Sequence, residues 1–383
     1  MAKIIYLIEC LNRSGGTERV VSLKANWLVE HGYDVTILTT IEKEICPFYP
    51  LSEKIKLQAL HIDDLAEVRK QQSQKDILSS IRNIFVSFRR HRLLKKRLSE
   101  YMRNHPCDYL STLIHCGFIP KMKDGSKKVY EIHIAALNAT DNAGSYFYRI
   151  VSSLRKCYQS GAYKYYYRIV DLTERDVVNR GSLPNMIVIP NFITINAPSV
   201  KSQSDSKRVI SVGRLHPQKG FDFLFAAWAL VSRKYPDWHL DIYGGVDEEK
   251  GKEYYQQLID SNGVGSFVSL NAPVQNIVDK YVESAFYVMS SRYEGFPLVL
   301  PEAMACGLPC ISYDCDCGPR EIITHGEDGL LVDKVGDVEG LAGAMIYMIE
   351  HPEERVKMGQ NAVRNVQRFS IVNIMKKWMK LWV

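Results

Sequence analysis

The sequence predicts an α/β protein built from two doubly wound, parallel-sheet domains. Three observations lead there. Short β-rich runs alternate with longer amphipathic stretches, the pattern that lays helices on both faces of a parallel sheet. The alternation runs twice, on either side of the stretch 196–207 (NAPSVKSQSDSK), whose Ser, Asn and Lys content and lack of large apolar residues suit a linker. The chain of 383 residues is long enough for two domains of ordinary size.

Taken in order, Ile4–Ile8, Val35–Thr39, Tyr109–Leu113, Lys128–Ile132 and Ile187–Ile189 read as the strands of the first half. A helix follows the turn Gly15-Gly16-Thr17-Glu18, with Thr17 as its expected cap. In the second half Val209–Val212, Leu240–Tyr243, Phe267–Leu270, Phe286–Met289 and Cys310–Tyr313 read as strands. Apolar residues recur at helical spacing from Phe369 to Val383, which predicts a closing helix with one apolar face. The expected organisation is a first domain over 1–195, a linker over 196–207, a second domain over 208–366, and a last helix over 367–383 that packs back on the first domain.

Composition excludes several classes. Hydrophobic residues make up 46% and charged residues 24%, which rules out wholesale disorder. A net charge of +6 is mild for this length and does not suggest a dedicated nucleic-acid binder. No run of 18 apolar residues occurs, so no membrane span is expected. The start MAKIIYLIE turns acidic too soon for a signal peptide and reads as a strand. The nine Cys are odd in number and scattered, which fits free thiols in a reducing cytosol.

Two segments of the second half carry the chemistry. The first is Ser211-Val212-Gly213-Arg214-Leu215-His216-Pro217-Gln218-Lys219-Gly220, between a strand and a helix. Arg214 and Lys219 therefore stand near the C-terminal end of a strand, where open α/β sheets hold their ligands, and two cations suit a diphosphate. The second runs from Ser290 to Pro309, with a turn at Gly295 and then a helix with Pro297 at or near its first position. Amides at a helix start favour an anion. Glu294 and Glu302 flank that start, and carboxylates beside an anion site are suited to accept from sugar hydroxyls. Sugar on either side of phosphate is the layout of a nucleotide sugar. The plainer alternative leaves these glutamates and cations as solvated surface residues.

Residues 81–104 (IRNIFVSFRRHRLLKKRLSEYMRN) form a basic amphipathic helix. Arg82, Arg89, Arg90, Arg92, Lys95, Lys96, Arg97 and Arg103 meet one acidic residue, Glu100, and the apolar stripe runs through Ile81, Ile84, Phe85, Phe88, Leu94 or His91, Leu98, Tyr101 and Met102. Such a helix fits an anionic membrane surface, a phosphate-bearing acceptor, or a solvated face over a packed core. Nucleic acid is the weakest fit, because no recognised binding motif accompanies the basic run.

Together these segments resemble the family-4 retaining glycosyltransferases of GT-B fold, over nearly the whole chain. The marks are Gly15-Gly16, Glu131-Ile132-His133, Val188-Ile189-Pro190-Asn191, Gly213-Arg214-Leu215 with Lys219-Gly220, the E-x7-E pair Glu294 and Glu302, Gly318–Ile323 and Gly326–Val332. The resemblance implies two Rossmann-like domains facing a cleft and transfer of a hexose or N-acetylhexosamine with retention. Arg214 and Lys219 would hold the donor diphosphate, and Glu302 the ribose. Glu294 would sit at the donor sugar, beside the amides of Gly295, Phe296 and Leu298. Pro297 has no amide hydrogen, so a donor common at this place in relatives is missing. His133 would be the active-site histidine; strand alternation puts it on the same face as Glu131. Gly15 and Gly16 would let the backbone approach donor phosphate and acceptor. Asn191 reads as a turn residue, and the base pocket is expected near Gly244-Gly245 and Asn271–Val274.

The resemblance further implies a nucleotide-sugar substrate, with UDP favoured as its nucleotide, and catalysis without a metal or other cofactor. The acceptor would be lipid-linked or a glycan in surface polysaccharide synthesis, reached at the inner face of the cytoplasmic membrane. Asp314-Cys315-Asp316 mimics a metal-chelating D-x-D, but it lies in a donor-site loop of this family. Cys306, Cys310, Cys315 and Cys317 lack zinc spacing. Competing readings are a UDP-sugar epimerase of similar architecture and a non-catalytic glycan-binding scaffold. A dehydrogenase is disfavoured, since G-x-G-x-x-G is absent after the first strand.

Overall fold

The computed structural model describes all residues except 43, 63–76, 134–160, 199–201, 203–204, 247–250 and 383, and it leaves out the side chains of 77–85. Part of the expected linker and the side chains of Ile81, Arg82, Ile84 and Phe85 thus lie outside the described residues. Two compact units result: Met1–Ile189 with Lys377–Val383, and Pro190–Lys376.

The first unit holds a seven-stranded sheet of β1 (Lys3–Ile8), β2 (Asp34–Thr39), β3 (Lys56–Ala59), β4 (Tyr109–Thr112), β5 (Lys127–Glu131), β6 (Arg168–Asp171) and β7 (Met186–Val188), in the order β3-β2-β1-β4-β5-β6-β7. Every pairing is parallel. Strand order reverses between β1 and β4, which places a ligand-binding switch point at their C-terminal ends. Helix α1 (Gly16–Glu30) leaves β1 there. Its N-cap is Gly15, with no side-chain cap, so the expected capping by Thr17 does not occur.

Helix α2 (Ile77–Asn104) contains the basic segment. Leu94, Leu98 and Met102, spaced by four, enter the core beside Leu7, Leu110 and Ile169, and each such burial contributes about 1.5–3 kcal/mol. The expected apolar stripe fails at Phe88, which is 73% exposed. Arg89, Arg92, Lys95, Lys96 and Arg103 are exposed. Arg90 pairs with Glu9 at 3.1 Å, just past the end of β1, and Arg97 donates to the Leu60 carbonyl at 2.7 Å.

The second unit holds a six-stranded parallel sheet of β8 (Arg208–Val212), β9 (His239–Tyr243), β10 (Val268–Asn271), β11 (Phe286–Met289), β12 (Cys310–Tyr313) and β13 (Gly329–Val332), ordered β10-β9-β8-β11-β12-β13. Its switch point lies between β8 and β11. Helix α3 (Phe221–Lys234) buries Phe221, Leu224, Phe225 and Trp228 against the sheet core. The short helix α4 (Val299–Ala305) follows β11.

The units divide at places other than the expected boundaries. The stretch after Pro190 is stitched to the second unit: Ile193 N donates to Phe369 O at 2.9 Å, Thr194 donates to Glu302, and Ser202 N donates to Cys306 O at 3.0 Å. The last helix, α5 (Ile371–Leu381), begins at Ile371. From Lys377 onward the chain groups with the first unit, where Trp382 packs edge-on against Tyr109 with ring centres 4.9 Å apart.

Candidate functional site

In the second unit the switch point joins two loops distant in sequence. Pro217–Lys219 form one turn of 3-10 helix, and Gly220 follows in the left-handed region at φ 62°. A Cβ on Gly220 would sit 2.1 Å from the Ser290 carbonyl oxygen, so glycine is what lets this turn lie against the end of β11. Polar contacts fasten the two loops. Arg292 N donates to Gln218 O at 2.8 Å, Gln218 Nε2 to Tyr293 O at 3.0 Å, and Ser290 Oγ to Lys219 O at 2.9 Å. Arg292 also forms a two-pronged pair with Asp222 at 2.8 and 2.6 Å.

These constraints bring together sequence-predicted residues. Lys219 Nζ lies 2.7 Å from Glu294 Oε1, which also accepts from Ser291 Oγ at 2.6 Å. Glu294 is 7% exposed, so its charge is matched where water is scarce. Gly318 seats the neighbouring loop: at φ 96° its position leaves room for Pro297 Cδ and the Gly295 carbonyl oxygen, 2.5 and 2.9 Å from where a Cβ would stand. Gly244 does the same for the loop after β8, since a Cβ there would lie 1.8 Å from Gly213 O.

Other members of the set fall less simply. Helix α4 starts at Val299, with Leu298 at its N-cap and Pro297 just before the cap, near the expected helix start. Phe296 is buried and meets Phe369 edge-on at 5.3 Å between ring centres; only its backbone remains for a ligand. Glu302 is buried and accepts from Thr194 Oγ1, so part of its acceptor capacity is already used. Arg214 is exposed in the loop after β8. Asp314, of the D-x-D look-alike, accepts from Arg320 Nε at 2.7 Å.

In the first unit, Gly15, Gly16 and His133 lie beyond the C-terminal ends of β1 and β5, on one edge of the sheet. A Cβ at Gly15 would stand 2.2 Å from Glu18 Oε2, so glycine makes space for that carboxylate. Burial pushes the Glu18 carboxyl up, against the pull of Arg13 and His133. His133 Nε2 is 3.5 Å from Glu131 Oε2, the contact that strand alternation anticipates. Glu131 also accepts from Lys24 Nζ and Ser111 Oγ. Burial alone would raise the Glu131 carboxyl, but the Lys24 ammonium and His133 outweigh it and hold it at about 2.

Lys24, Ser291 and Thr194 were not legible as site residues. Lys24 had a signal: it falls in the apolar stripe of α1 between Val21 and Leu28, where a charge needs a buried partner. Ser291 and Thr194 had none, because each is defined by a contact with a glutamate rather than by a motif.

Residues 193–365 match the family described as "Glycosyl transferases group 1". The whole chain is similar to an uncharacterized glycosyltransferase of Haemophilus influenzae, 28% identical with 99% of each chain covered. It is similar to the amylovoran biosynthesis glycosyltransferase AmsD of Erwinia amylovora to the same extent, 28% with 99% of each covered. Among solved structures it resembles a TarM mutant of S. aureus in complex with fondaparinux, alpha-GlcNAc-glycerol and UDP, with a TM-score of 0.77 over all of both chains at 16% identity. The chain is a glycosyltransferase of GT-B fold, and residues 193–365 of its second unit match the group 1 glycosyl transferases.

Proposed function

We propose that the chain transfers a hexose or N-acetylhexosamine from a nucleotide sugar, with UDP as its nucleotide, to a lipid-linked or glycan acceptor in surface polysaccharide synthesis, with retention of anomeric configuration. The observation that carries this reading is the meeting of Lys219 and Glu294 at the switch point of the second sheet. A cation and a carboxylate held side by side serve the two parts of such a donor. Lys219, with Arg214, takes the diphosphate, while Glu294 keeps Oε2 for a sugar hydroxyl. Glu302 receives the ribose. As the diphosphate leaves it gains negative charge, so the cation contacts strengthen in the transition state. His133 and the Gly15-Gly16 turn serve the donor sugar and acceptor. The leaving phosphate takes the acceptor proton, and no step falls to a metal.

Surface polysaccharide synthesis is supported by the named role of the AmsD relative, and UDP by its presence in the TarM complex. The relatives reported above are transferases by name, which favours transfer over the epimerase reading. A screen of nucleotide sugars, reading released UDP or GDP with and without acceptor, tests the proposal. Release only with acceptor supports it; conversion of a UDP-sugar to its epimer without acceptor would replace it.

The basic helix supports a peripheral role at an anionic surface. Phe88, Arg89, Arg92, Lys95 and Lys96 are exposed, and Arg90 ties this part of α2 to the ligand-bearing edge of the sheet through Glu9. A lipid-linked acceptor with a phosphate would meet the same face. No described helix is long and apolar enough to cross a membrane.

A further inference from the structure

The geometry points to Glu131 as the positioning residue of His133, fixing its ring so that Nε2 carries the proton toward Glu131 and the lone pair of the neutral ring falls on Nδ1. This rests on the proposed transferase function and names how one of its residues is set.

The argument starts from the carboxylate. Glu131 is buried and takes a proton donor on each oxygen: Ser111 Oγ on Oε1 and Lys24 Nζ on Oε2. A carboxylate so held is ionised and can only accept. The nearest nitrogen of His133, Nε2, stands 3.5 Å from Oε2, so in the neutral ring the hydrogen belongs on Nε2 and the lone pair on Nδ1. The distance is long for a hydrogen bond, as is common before a substrate closes the contact. With its side chain 8% exposed, the imidazole has few other orientations open to it.

The carboxylate is itself braced from behind. Lys24 is 0% exposed. Its ammonium lies 3.7 Å from the centre of the Trp378 ring and 5.1 Å from that of Tyr6. Burial pushes the Lys24 ammonium down from its ordinary value, while Glu131 and the two aromatic faces oppose that and favour its charged form. Order therefore passes from Trp378 and Tyr6 to Lys24, from Lys24 to Glu131, and from Glu131 to the ring of His133. None of these except His133 needs to touch substrate. A buried pair adjoining an active-site histidine is costly to keep for stability alone, because a well-packed apolar pair does as well.

The test combines spectroscopy with kinetics on the full-length protein. Nitrogen-15 NMR of histidine-labelled protein, with His133 assigned by its loss in His133→Gln, reads the tautomer directly. At a pH where the ring is neutral, the expected result is protonation at Nε2 in the parent and a mixture of tautomers in Glu131→Gln. Glu131→Gln also strands the Lys24 charge, so Lys24→Met/Glu131→Gln is made beside it to restore folding. Both should lose about tenfold in kcat, the order of one orienting hydrogen bond, while UDP affinity by calorimetry stays within about twofold of the parent. A parent ring protonated at Nδ1, or a folded double variant with the parent's kcat, overturns the assignment. If the parent released no nucleotide from any nucleotide sugar, the functional reading would fail instead, and the tautomer would still decide the structural claim.

Discussion

The Lys219 ammonium lies 2.7 Å from Glu294 Oε1, although 75 residues separate them in sequence. The parallel sheet makes the meeting possible, because β8 and β11 are neighbours whose C-terminal ends open onto the same edge. If this pair meets the diphosphate and the sugar, removing the cation should cost turnover, and some stability as well, because it strands the buried Glu294 carboxylate. Lys219→Met is expected to lose about 1.5–3 kcal/mol of transition-state stabilisation, or about 10- to 100-fold in kcat. Arg214→Ala should fall in the same direction with little change in melting temperature, since Arg214 is exposed. Nucleotide release at the parent's rate in both variants would count against the site.

Gly220 sets that meeting, and its replacement should be felt in stability. Alanine at this position combines a φ of 62° with a Cβ 2.1 Å from the Ser290 carbonyl oxygen. Left-handed strain alone costs about 1–3 kcal/mol, and the overlap must be relieved by moving the turn that carries Lys219. Gly220→Ala should therefore lower the melting temperature by several degrees, roughly 2–4 °C per kcal/mol for a unit of this size, and weaken UDP binding with it. Unchanged melting by calorimetry would show that the two loops are not locked together.

Much of this arrangement could be read in advance, and the reasons for the remainder are local. Strands such as Ile4–Ile8 and Phe286–Met289 announce themselves by continuous apolar runs, because both faces of a parallel sheet are covered. β3 was missed, since three residues of Lys56-Leu57-Gln58-Ala59 are exposed at an edge and leave no pattern. β6 leaves no clear signal because Arg168-Ile169-Val170-Asp171 has only two apolar residues, flanked by charges. That Lys219 and Glu294 would lie near each other could be expected, because both follow the ends of neighbouring strands. Lys24 could not be assigned a partner, since its contact with Glu131 spans 107 positions that only the folded sheet brings together. The polar stretch 196–207 reads as a linker because it offers nothing to a core, yet the backbone of Ile193 and Ser202 is hydrogen-bonded within the second unit.

Glu302 presents a divided case, one of its oxygens accepting from Thr194. Its remaining capacity is what a ribose would use. Glu302→Gln keeps the size and removes the charge, and the loss of charge-assisted acceptance should weaken UDP by about tenfold, near 1.4 kcal/mol. Isothermal calorimetry with UDP reads this without an acceptor. Equal affinity in the variant would assign Glu302 to holding Thr194 alone.

The exposed face of α2 gives a test that does not depend on the donor. The set to change is Arg89, Arg92, Lys95 and Lys96, which are exposed on this face. Changing all four to Gln should release the protein from anionic liposomes, each cation near such a surface being worth about 1 kcal/mol. Added salt should do the same to the parent, because the attraction is screened. Undiminished co-sedimentation of the fourfold variant would remove the membrane role and leave the face to an acceptor phosphate.

The buried pair Lys24–Glu131 should leave a signature in acid. Burial alone would raise Glu131, yet Lys24 and His133 hold it at about 2 against an ordinary 4.5. Its folded value is depressed, so the unfolded chain binds the proton first as pH falls. The contribution is complete above about pH 4.5 and drains away between there and about pH 2, at up to about 1.4 kcal/mol per pH unit and about 3 kcal/mol in all. Lys24→Met/Glu131→Leu removes the titrating group and replaces the pair by apolar side chains, which at pH 6 should be neutral or stabilising. Urea midpoints at pH 6 and pH 3.5 then separate the two proteins: the parent should lose about 1 kcal/mol more than the double variant over that interval. Equal losses would mean that Glu131 titrates alike in the folded and unfolded chain, and that the ammonium beneath Trp378 is not what keeps it ionised.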